Sequence, residues 1–190
     1  MFRRRWVADK TEADKADGPW ETAGPPSGPA VALTSDKKGW LVAADAFGVA
    51  VFDPAKPSND PVRRWQGAAE GKLPAGGGSR VTVFGERVGW AVGGRAVAAA
   101  APANDQPDWV YALPADVGEV VALSALSDGL LVTCSAGVVL ELSATGEVRA
   151  EAAPAVLGPL AARGATRVGE ADVLLPLSDG TVSRLVVRKR

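Results

Sequence analysis

The sequence predicts an all-β protein built from four repeated units, each of four antiparallel strands. Three observations predict this fold class. Long helices are disfavoured because the 190 residues include 22 glycines and 14 prolines, and the apolar runs between them are short. Those runs alternate with turn-forming residues along most of the chain, as strands and hairpin turns do. The same order of strands and turns then recurs at a period of roughly 40 to 50 residues.

The repeated units cover approximately residues 29–66, 79–114, 118–153 and 159–190. Units one and two share Gly39-Trp40 and Gly89-Trp90, and both carry an Asn-Asp loop that is followed by a proline and a tryptophan. A unit of this length matches one blade of a β-propeller, which must stack on its neighbours to bury its faces. The sequence therefore predicts four blades, closed alone or forming half of an eight-bladed ring made by two chains.

Two segments resemble a known repeat. Residues 130–151, LLVTCSAGVVLELSATGEVRAE, and residues 173–187, VLLPLSDGTVSRLVV, are similar to the PQQ-like repeat of quinoprotein-type propellers. The resemblance lies in an apolar strand, a small turn ending in glycine, a second strand and a Thr-Gly turn. It implies a degenerate propeller repeat, and it raises a quinone-binding or enzymatic domain as an alternative function. The first two units depart from the pattern through their longer loops.

The two ends of the chain suggest how the fourth unit is completed. That unit has three predicted strands, whereas residues 2–7 form a spare strand at the start. We expect residues 2–7 to pair antiparallel with residues 181–187 as a closing strand, since an open sheet edge promotes aggregation. The arginines of residues 3–5 would then lie near the basic residues 188–190, which opposes the pairing. Residues 9–28 are predicted to be a loop.

Composition excludes several classes of function. The chain has no histidine, so the usual acid–base group at neutral pH and the commonest metal ligand are both missing. The formal net charge of −1 gives no general attraction to nucleic acid or to anionic membranes. The single cysteine, Cys134, lies in an apolar run and is predicted to be buried and inert. With no signal or membrane segment recognised, a complete chain of this bacterial-type composition would be cytoplasmic.

No catalytic, cofactor-binding or metal-binding residue is predicted. Trp40 and Trp90 are expected to pack in the core at equivalent blade positions, and the Asn-Asp loops are expected to be ordinary turns rather than calcium ligands. The turns between the second and third strands of the units should share one face. They are Asp45–Gly48, Gly93–Arg95, Ser135–Gly137 and Ser178–Gly180. Within them, the predicted partner-binding residues are Asp45, Phe47, Arg95 and Asp179.

The sequence thus favours a non-catalytic binding or scaffolding propeller that presents turn loops to a protein partner. Nucleic acid and membranes are not expected as partners, whereas a homodimer or a larger complex is compatible with the sequence. Two alternatives stay open. One is the PQQ-type quinone-binding or enzymatic domain, and the other is a repeat lectin that binds glycans. Neither the partner nor the completeness of the chain can be read from these residues.

Overall fold

The fold was analysed in a computed structural model, which describes residues 2–3, 21–22, 32–35, 40–45, 48–53, 61–66, 80–153, 164–169 and 172–189. This part of the chain is almost entirely β-structure, with one single-turn 3-10 helix at Ala115–Val117. The predicted all-β fold class is therefore confirmed. A two-stranded sheet near the start of the chain is followed by four larger antiparallel sheets, which we number sheets 1 to 4.

Sheets 1 and 2 have four consecutive strands each. Sheet 1 contains β3 (Ala32–Ser35), β4 (Leu41–Asp45), β5 (Gly48–Phe52) and β6 (Arg63–Gln66). Sheet 2 contains β7 (Val81–Phe84), β8 (Arg87–Val92), β9 (Ala96–Ala100) and β10 (Trp109–Ala112). In both sheets every strand pairs with the next one in the sequence, which is the pairing that the alternation of strands and short turns predicts.

Sheet 3 has five strands and sheet 4 has three in the described residues. Sheet 3 contains β11 (Val120–Ala125), β12 (Gly129–Cys134), β13 (Val139–Ser143), β14 (Val148–Ala152) and β18 (Arg188–Lys189). Sheet 4 contains β15 (Thr166–Val168), β16 (Asp172–Pro176) and β17 (Val182–Val186). After β17 the chain leaves sheet 4 and adds β18 to the outer edge of β14.

The start of the chain does not pair as the sequence suggested. The first strand, β1 (Phe2–Arg3), pairs with β2 (Glu21–Thr22), which lies inside the predicted loop of residues 9–28. The expected pairing of residues 2–7 with β17 is therefore wrong for Phe2–Arg3, and residues 4–7 lie outside the described residues. The observed register sets Arg3 opposite Glu21, whereas β17 carries another arginine at its centre. Opposite charges across strands favour the first arrangement.

Consecutive sheets pack face to face through separate apolar clusters. One cluster joins sheets 1 and 2, and its buried members include Val49, Val51, Val88 and Trp90. A second joins sheets 2 and 3, and a third joins sheets 3 and 4 through residues such as Leu131 and Leu175. The first strands β3, β7 and β11 lie next to one another at the inner edge. This is the stacking by which propeller blades bury faces that none could bury alone.

Two tryptophans link the outer strands of sheets 1 and 2 to the sheet that follows each of them. Trp65 on β6 donates its indole N–H to the carbonyl oxygen of Asn104 at 3.1 Å, and Trp109 on β10 donates to that of Ala144 at 2.8 Å. Trp65 also stacks on Trp90 with ring centroids 5.0 Å apart. A Cβ on Gly146 would overlap the Trp109 ring, so that turn needs a glycine. The contacts fix neighbouring sheets at their outer rim as well as in the core.

Trp40 and Trp90, which were predicted to occupy equivalent positions, differ in the structure. Trp90 lies within β8 with 1% of its surface exposed, which confirms its predicted burial. Trp40 precedes β4 and is partly buried, packed against the cluster between sheets 1 and 2. The Gly-Trp pairs therefore occupy different distances from the turns that follow them. Cys134 is buried as predicted, and burial raises the pKa of its thiol to about 12.

Candidate binding surface at the turns between second and third strands

The turn of sheet 2 is formed by two glycines in left-handed conformation. Gly93 and Gly94 have φ values of 53° and 73°, and the turn closes with a hydrogen bond from the Arg95 N–H to the Val92 carbonyl at 3.2 Å. Side-chain-bearing residues rarely adopt such φ values, so Gly-Gly suits a tight hairpin here. The turn aims the next side chain, Arg95, at the segment that leads into sheet 3.

Arg95 holds that connecting segment in place. Its Nη1 donates to the carbonyl oxygen of Gly118 at 2.6 Å, and its Nη2 donates to that of Pro114 at 3.0 Å. Its own carbonyl accepts from the Leu113 N–H at 2.9 Å. Arg95 was predicted to face a partner, and the structure shows a partly buried guanidinium that binds backbone of its own chain. In turn sequences alone, nothing distinguishes such an inward arginine from a free one.

The connecting segment is bonded in turn to the hairpin of sheet 3. The Ser135 N–H donates to the Glu119 carbonyl at 2.8 Å, and the Glu119 N–H donates to Ser135 Oγ at 2.9 Å. The Val120 N–H donates to the Gly94 carbonyl at 2.7 Å. The two turns and residues 113–119 between them therefore form one hydrogen-bonded surface, which we call the joined turn surface. Asp116 and Glu119 are exposed on it.

Asp179 shapes the corresponding turn of sheet 4. Its carboxylate accepts hydrogen bonds from the Thr181 N–H at 2.9 Å and from the Thr181 hydroxyl at 2.7 Å. The Thr181 hydroxyl and then the Thr181 N–H hold the pKa of the Asp179 carboxyl below its usual value. The residue is exposed at the tip of the hairpin, so a charged, ordered carboxylate faces outward. This is a turn-capping role that aspartate commonly performs.

The remaining two predicted residues belong to the turn of sheet 1. The backbone of Asp45 ends β4 and pairs with Gly48 at the start of β5. Phe47 lies outside the described residues. The structure therefore places Arg95 on the joined turn surface and Asp179 on the equivalent hairpin of sheet 4, and it places Asp45 at the end of a strand in sheet 1.

The second Asn-Asp loop works as a clasp between sheets. Asn104 donates from Nδ2 to Asp108 Oδ1, and Asp105 forms an ion pair with Arg63 of sheet 1. Arg63 also donates from Nε to the Pro102 carbonyl at 3.3 Å. The loop was predicted to be an ordinary turn, and its contact with sheet 1 was not predicted. The shared order of loop, proline and tryptophan in units one and two was the signal that the segment had a repeated structural role.

Two features are absent from the part of the chain that the structure describes. No group of three or more histidine, cysteine, aspartate or glutamate residues is arranged there to hold a metal ion. No helix there is long and apolar enough to cross a membrane.

Solved structures with a similar fold are β-propeller proteins. BamB from Moraxella catarrhalis superimposes with a TM-score of 0.56 and 18% identity over 81% of this chain and 42% of its own. BBS1N in complex with ARL6DN gives 0.59 and 17% identity over 87% and 56%. Chaetomium thermophilum Raptor gives 0.60 and 16% identity over 88% and 16%. The protein described here therefore has a β-propeller fold, and it spans about half or less of each of these chains.

No protein family and no curated protein matches the sequence. The likeness of residues 130–151 and 173–187 to PQQ-like repeats stays a resemblance of short motifs. At identities below a fifth, the structural similarities establish the fold and carry no activity, substrate or partner with them.

Proposed function

We propose that the protein is a non-catalytic binding or scaffolding module that presents the turn ends of its sheets to a protein partner. The observation that carries the proposal is the joined turn surface, where two hairpin turns and residues 113–119 are locked by hydrogen bonds. A surface that is already ordered loses little conformational entropy when a partner binds. Loops held on a rigid scaffold are the common sites of recognition.

The charges on this surface favour a partner with basic groups. Asp116 and Glu119 are exposed on the joined turn surface, and the carboxylate of Asp179 is exposed on the hairpin of sheet 4. The guanidinium of Arg95 is directed at backbone carbonyls of the chain itself. A partner with basic groups would therefore meet an acidic surface, which favours correct encounters and rejects acidic partners.

The burial of the tryptophans favours this function over glycan binding. A repeat lectin needs aromatic faces that are open to a sugar. Trp65 and Trp90 are stacked on each other and almost fully buried, and the Trp109 indole contacts Gly146 and Ala144 of the next sheet. These rings are occupied by packing between sheets.

Site-specific photo-crosslinking would test the proposal. A photoreactive amino acid at the exposed positions Asp116 and Ser178 should capture a protein partner in cells. The matched controls are Ser127 and Glu86, exposed residues in turns at the opposite ends of the strands. Equal capture at both ends, or capture mainly at Ser127 and Glu86, would show that the turn surface is not the recognition site.

A further inference from the structure

Within the described residues, sheet 4 lacks the fourth consecutive strand that sheets 1 to 3 possess. Each of sheets 1 to 3 contains four strands that are consecutive in the sequence, whereas the described part of sheet 4 ends at β17. The next residues of the chain, Arg188–Lys189, pair with β14 of sheet 3 instead. Among the strands that the structure describes, β17 is therefore an edge strand at the position where sheets 1 to 3 continue into a fourth strand.

The hydrogen-bonding groups of this edge can be assigned from the register. The Leu177 N–H donates to the Thr181 carbonyl at 2.9 Å, and β16 and β17 then pair without a shift. In an antiparallel pair, bonded and non-bonded positions alternate. Ser183 and Leu185 therefore bond to β16. The backbone N–H and C=O groups of Val182, Arg184 and Val186 point away from it, toward the open edge.

The same three residues also expose their side chains. Val182 is 57% exposed and Val186 is 66% exposed, two of the most exposed large apolar residues in the described part of the chain. Between them the Arg184 side chain is 72% exposed and donates from Nη2 to Asp172 Oδ2 at 2.5 Å. Proteins usually protect an open edge with proline, a bulge or a covering strand, and β17 carries only the charge of Arg184.

We propose that β17 accepts an additional β-strand from a partner protein, and that this strand is extended, apolar at alternate positions and acidic opposite Arg184. The proposal deepens the function proposed above, on which it rests for the partner being a protein. Main-chain hydrogen bonds to Val182, Arg184 and Val186 supply affinity in this mode of recognition, and contacts with alternate side chains supply specificity.

Charge selects this occupant over two others. The N-terminal segment has arginine at residues 3, 4 and 5, so it would set like charges beside Arg184. A second copy pairing through its own β17 about a two-fold axis at the strand centre would set Arg184 opposite Arg184. Like charges directly opposite in a sheet are destabilising, whereas an aspartate or glutamate stabilises the pair. An acidic strand from a different protein would pair with the edge, and its carboxylate would accept from the Arg184 nitrogens other than the Nη2 that bonds to Asp172.

Amide hydrogen exchange with synthetic peptides tests the proposal on the full chain. The probe is a seven-residue peptide of alternating threonine and valine with glutamate at its centre, and its counterpart has lysine there. We expect the glutamate peptide to slow exchange at Val182, Arg184 and Val186. The lysine peptide should bind about threefold or more weakly. Absence of protection at these amides with either peptide at millimolar concentration would overturn the proposal.

Two variants separate edge pairing from non-specific binding. Val186→Pro removes an N–H that points away from β16, so the fold should persist while peptide binding is lost. Arg184→Glu should reverse the preference to the lysine peptide. The matched control is Val110→Pro, at a valine on the edge strand of sheet 2 that is 60% exposed, and it should leave binding unchanged. Unchanged binding in a folded Val186→Pro protein would refute strand addition.

The two experiments distinguish failure of strand addition from failure of the turn surface. Crosslinking at Asp116 and Ser178 reports on the turn surface, whereas peptide protection reports on β17. A Val186→Pro protein that still crosslinks at the turns but no longer protects β17 supports both proposals. Protection that survives in Val186→Pro removes only strand addition, and capture at the control turns removes only the turn surface.

Discussion

Sheets 3 and 4 use the same hairpin turn but differ in how much of each sheet is covered. In sheet 3 the Gly137 N–H donates to the Cys134 carbonyl at 2.9 Å, and in sheet 4 the Gly180 N–H donates to the Leu177 carbonyl at 3.2 Å. Yet every residue of β12 is buried, whereas residues along β16 are alternately buried and partly exposed. The two sheets therefore share the same turn hydrogen bond, but their strands are not buried to the same extent.

The difference follows from the neighbours of each sheet. Sheet 3 packs against sheet 2 through one face and against sheet 4 through the other. Sheet 4 packs on sheet 3 through Val173, Leu175 and Leu185, and its other face carries exposed Val182 and Val186. A strand covered on both faces reads as a continuous apolar run, and one covered on a single face alternates. Position in the stack, rather than the sequence of one hairpin, decides how completely a sheet is buried.

The largest expected contrast is in cysteine reactivity. Cys134 on β12 should react with a thiol reagent at neutral pH at least about a thousandfold more slowly than a cysteine placed by Val186→Cys in a Cys134→Ala background. Burial shields Cys134 and raises its thiol pKa to about 12, so the reactive thiolate is scarce. Stopped-flow labelling of the native proteins measures both rates. Comparable rates would mean that the thiol reagent reaches Cys134 in sheet 3 as readily as it reaches an exposed cysteine on sheet 4.

Core truncation should give the next largest contrast. Leu130→Ala on β12 should lower the free energy of unfolding by about 3–5 kcal/mol, because Leu130 is fully buried between sheets 2 and 3. The matched change Leu174→Ala on β16 should cost less than about 1.5 kcal/mol, since Leu174 is only partly buried. Urea unfolding followed by tryptophan fluorescence compares the two. Equal losses would contradict the one-sided covering of sheet 4.

The ion pair between sheets 3 and 4 should matter less than the core. Arg167 donates from Nη1 to Glu141 Oε2, and their side chains are 20% and 16% exposed. Arg167→Met should destabilise the protein by about 1–2 kcal/mol, between the values for surface and buried pairs. A double-mutant cycle with Glu141→Gln isolates the pair. A coupling energy near zero would show that this ion pair contributes nothing to the packing of sheet 4 on sheet 3.

The smallest effect concerns the titration of Asp172. Hydrogen bonding to the Arg184 guanidinium holds the pKa of the Asp172 carboxyl below its usual value. The pair's contribution to stability is therefore present above the unfolded-state pKa and is lost as the pH falls through the folded-state pKa. NMR titration should show the Asp172 pKa rising in Arg184→Met. No change would show that Arg184 is not bound to Asp172 in solution.

Much of the strand order was predictable from sequence because it is local. Short apolar runs separated by glycine turns such as Ser135–Gly137 and Ser178–Gly180 predicted hairpins, and the repeat period predicted that they stack. The burial of Cys134 followed from its apolar run. These inferences need only neighbouring residues in the chain.

The features that the sequence did not predict depend on contacts between residues far apart in the chain. The two residues of β18 are too few to form a sequence pattern, so their pairing with β14 instead of sheet 4 could not be predicted. Phe2–Arg3 pairs with Glu21–Thr22, and the loop-like composition of residues 9–28 gave no sign of a strand there. The sequence placed Arg95 in a turn, but it did not show that the Arg95 guanidinium donates to the carbonyls of Pro114 and Gly118. The turn positions could be located from sequence, but the direction of a side chain could not.

The pairing of β18 with β14 brings together the two ends of the chain segment that contains sheet 4. The segment from residue 153 to residue 187 starts at the end of β14, and β18 returns it to the edge of that same strand. If sheet 4 peels away from sheet 3, both ends of the segment stay tethered, so its re-docking is an intramolecular step at high effective concentration. We therefore expect sheet 4 to open and re-dock as one unit before sheets 2 and 3 unfold.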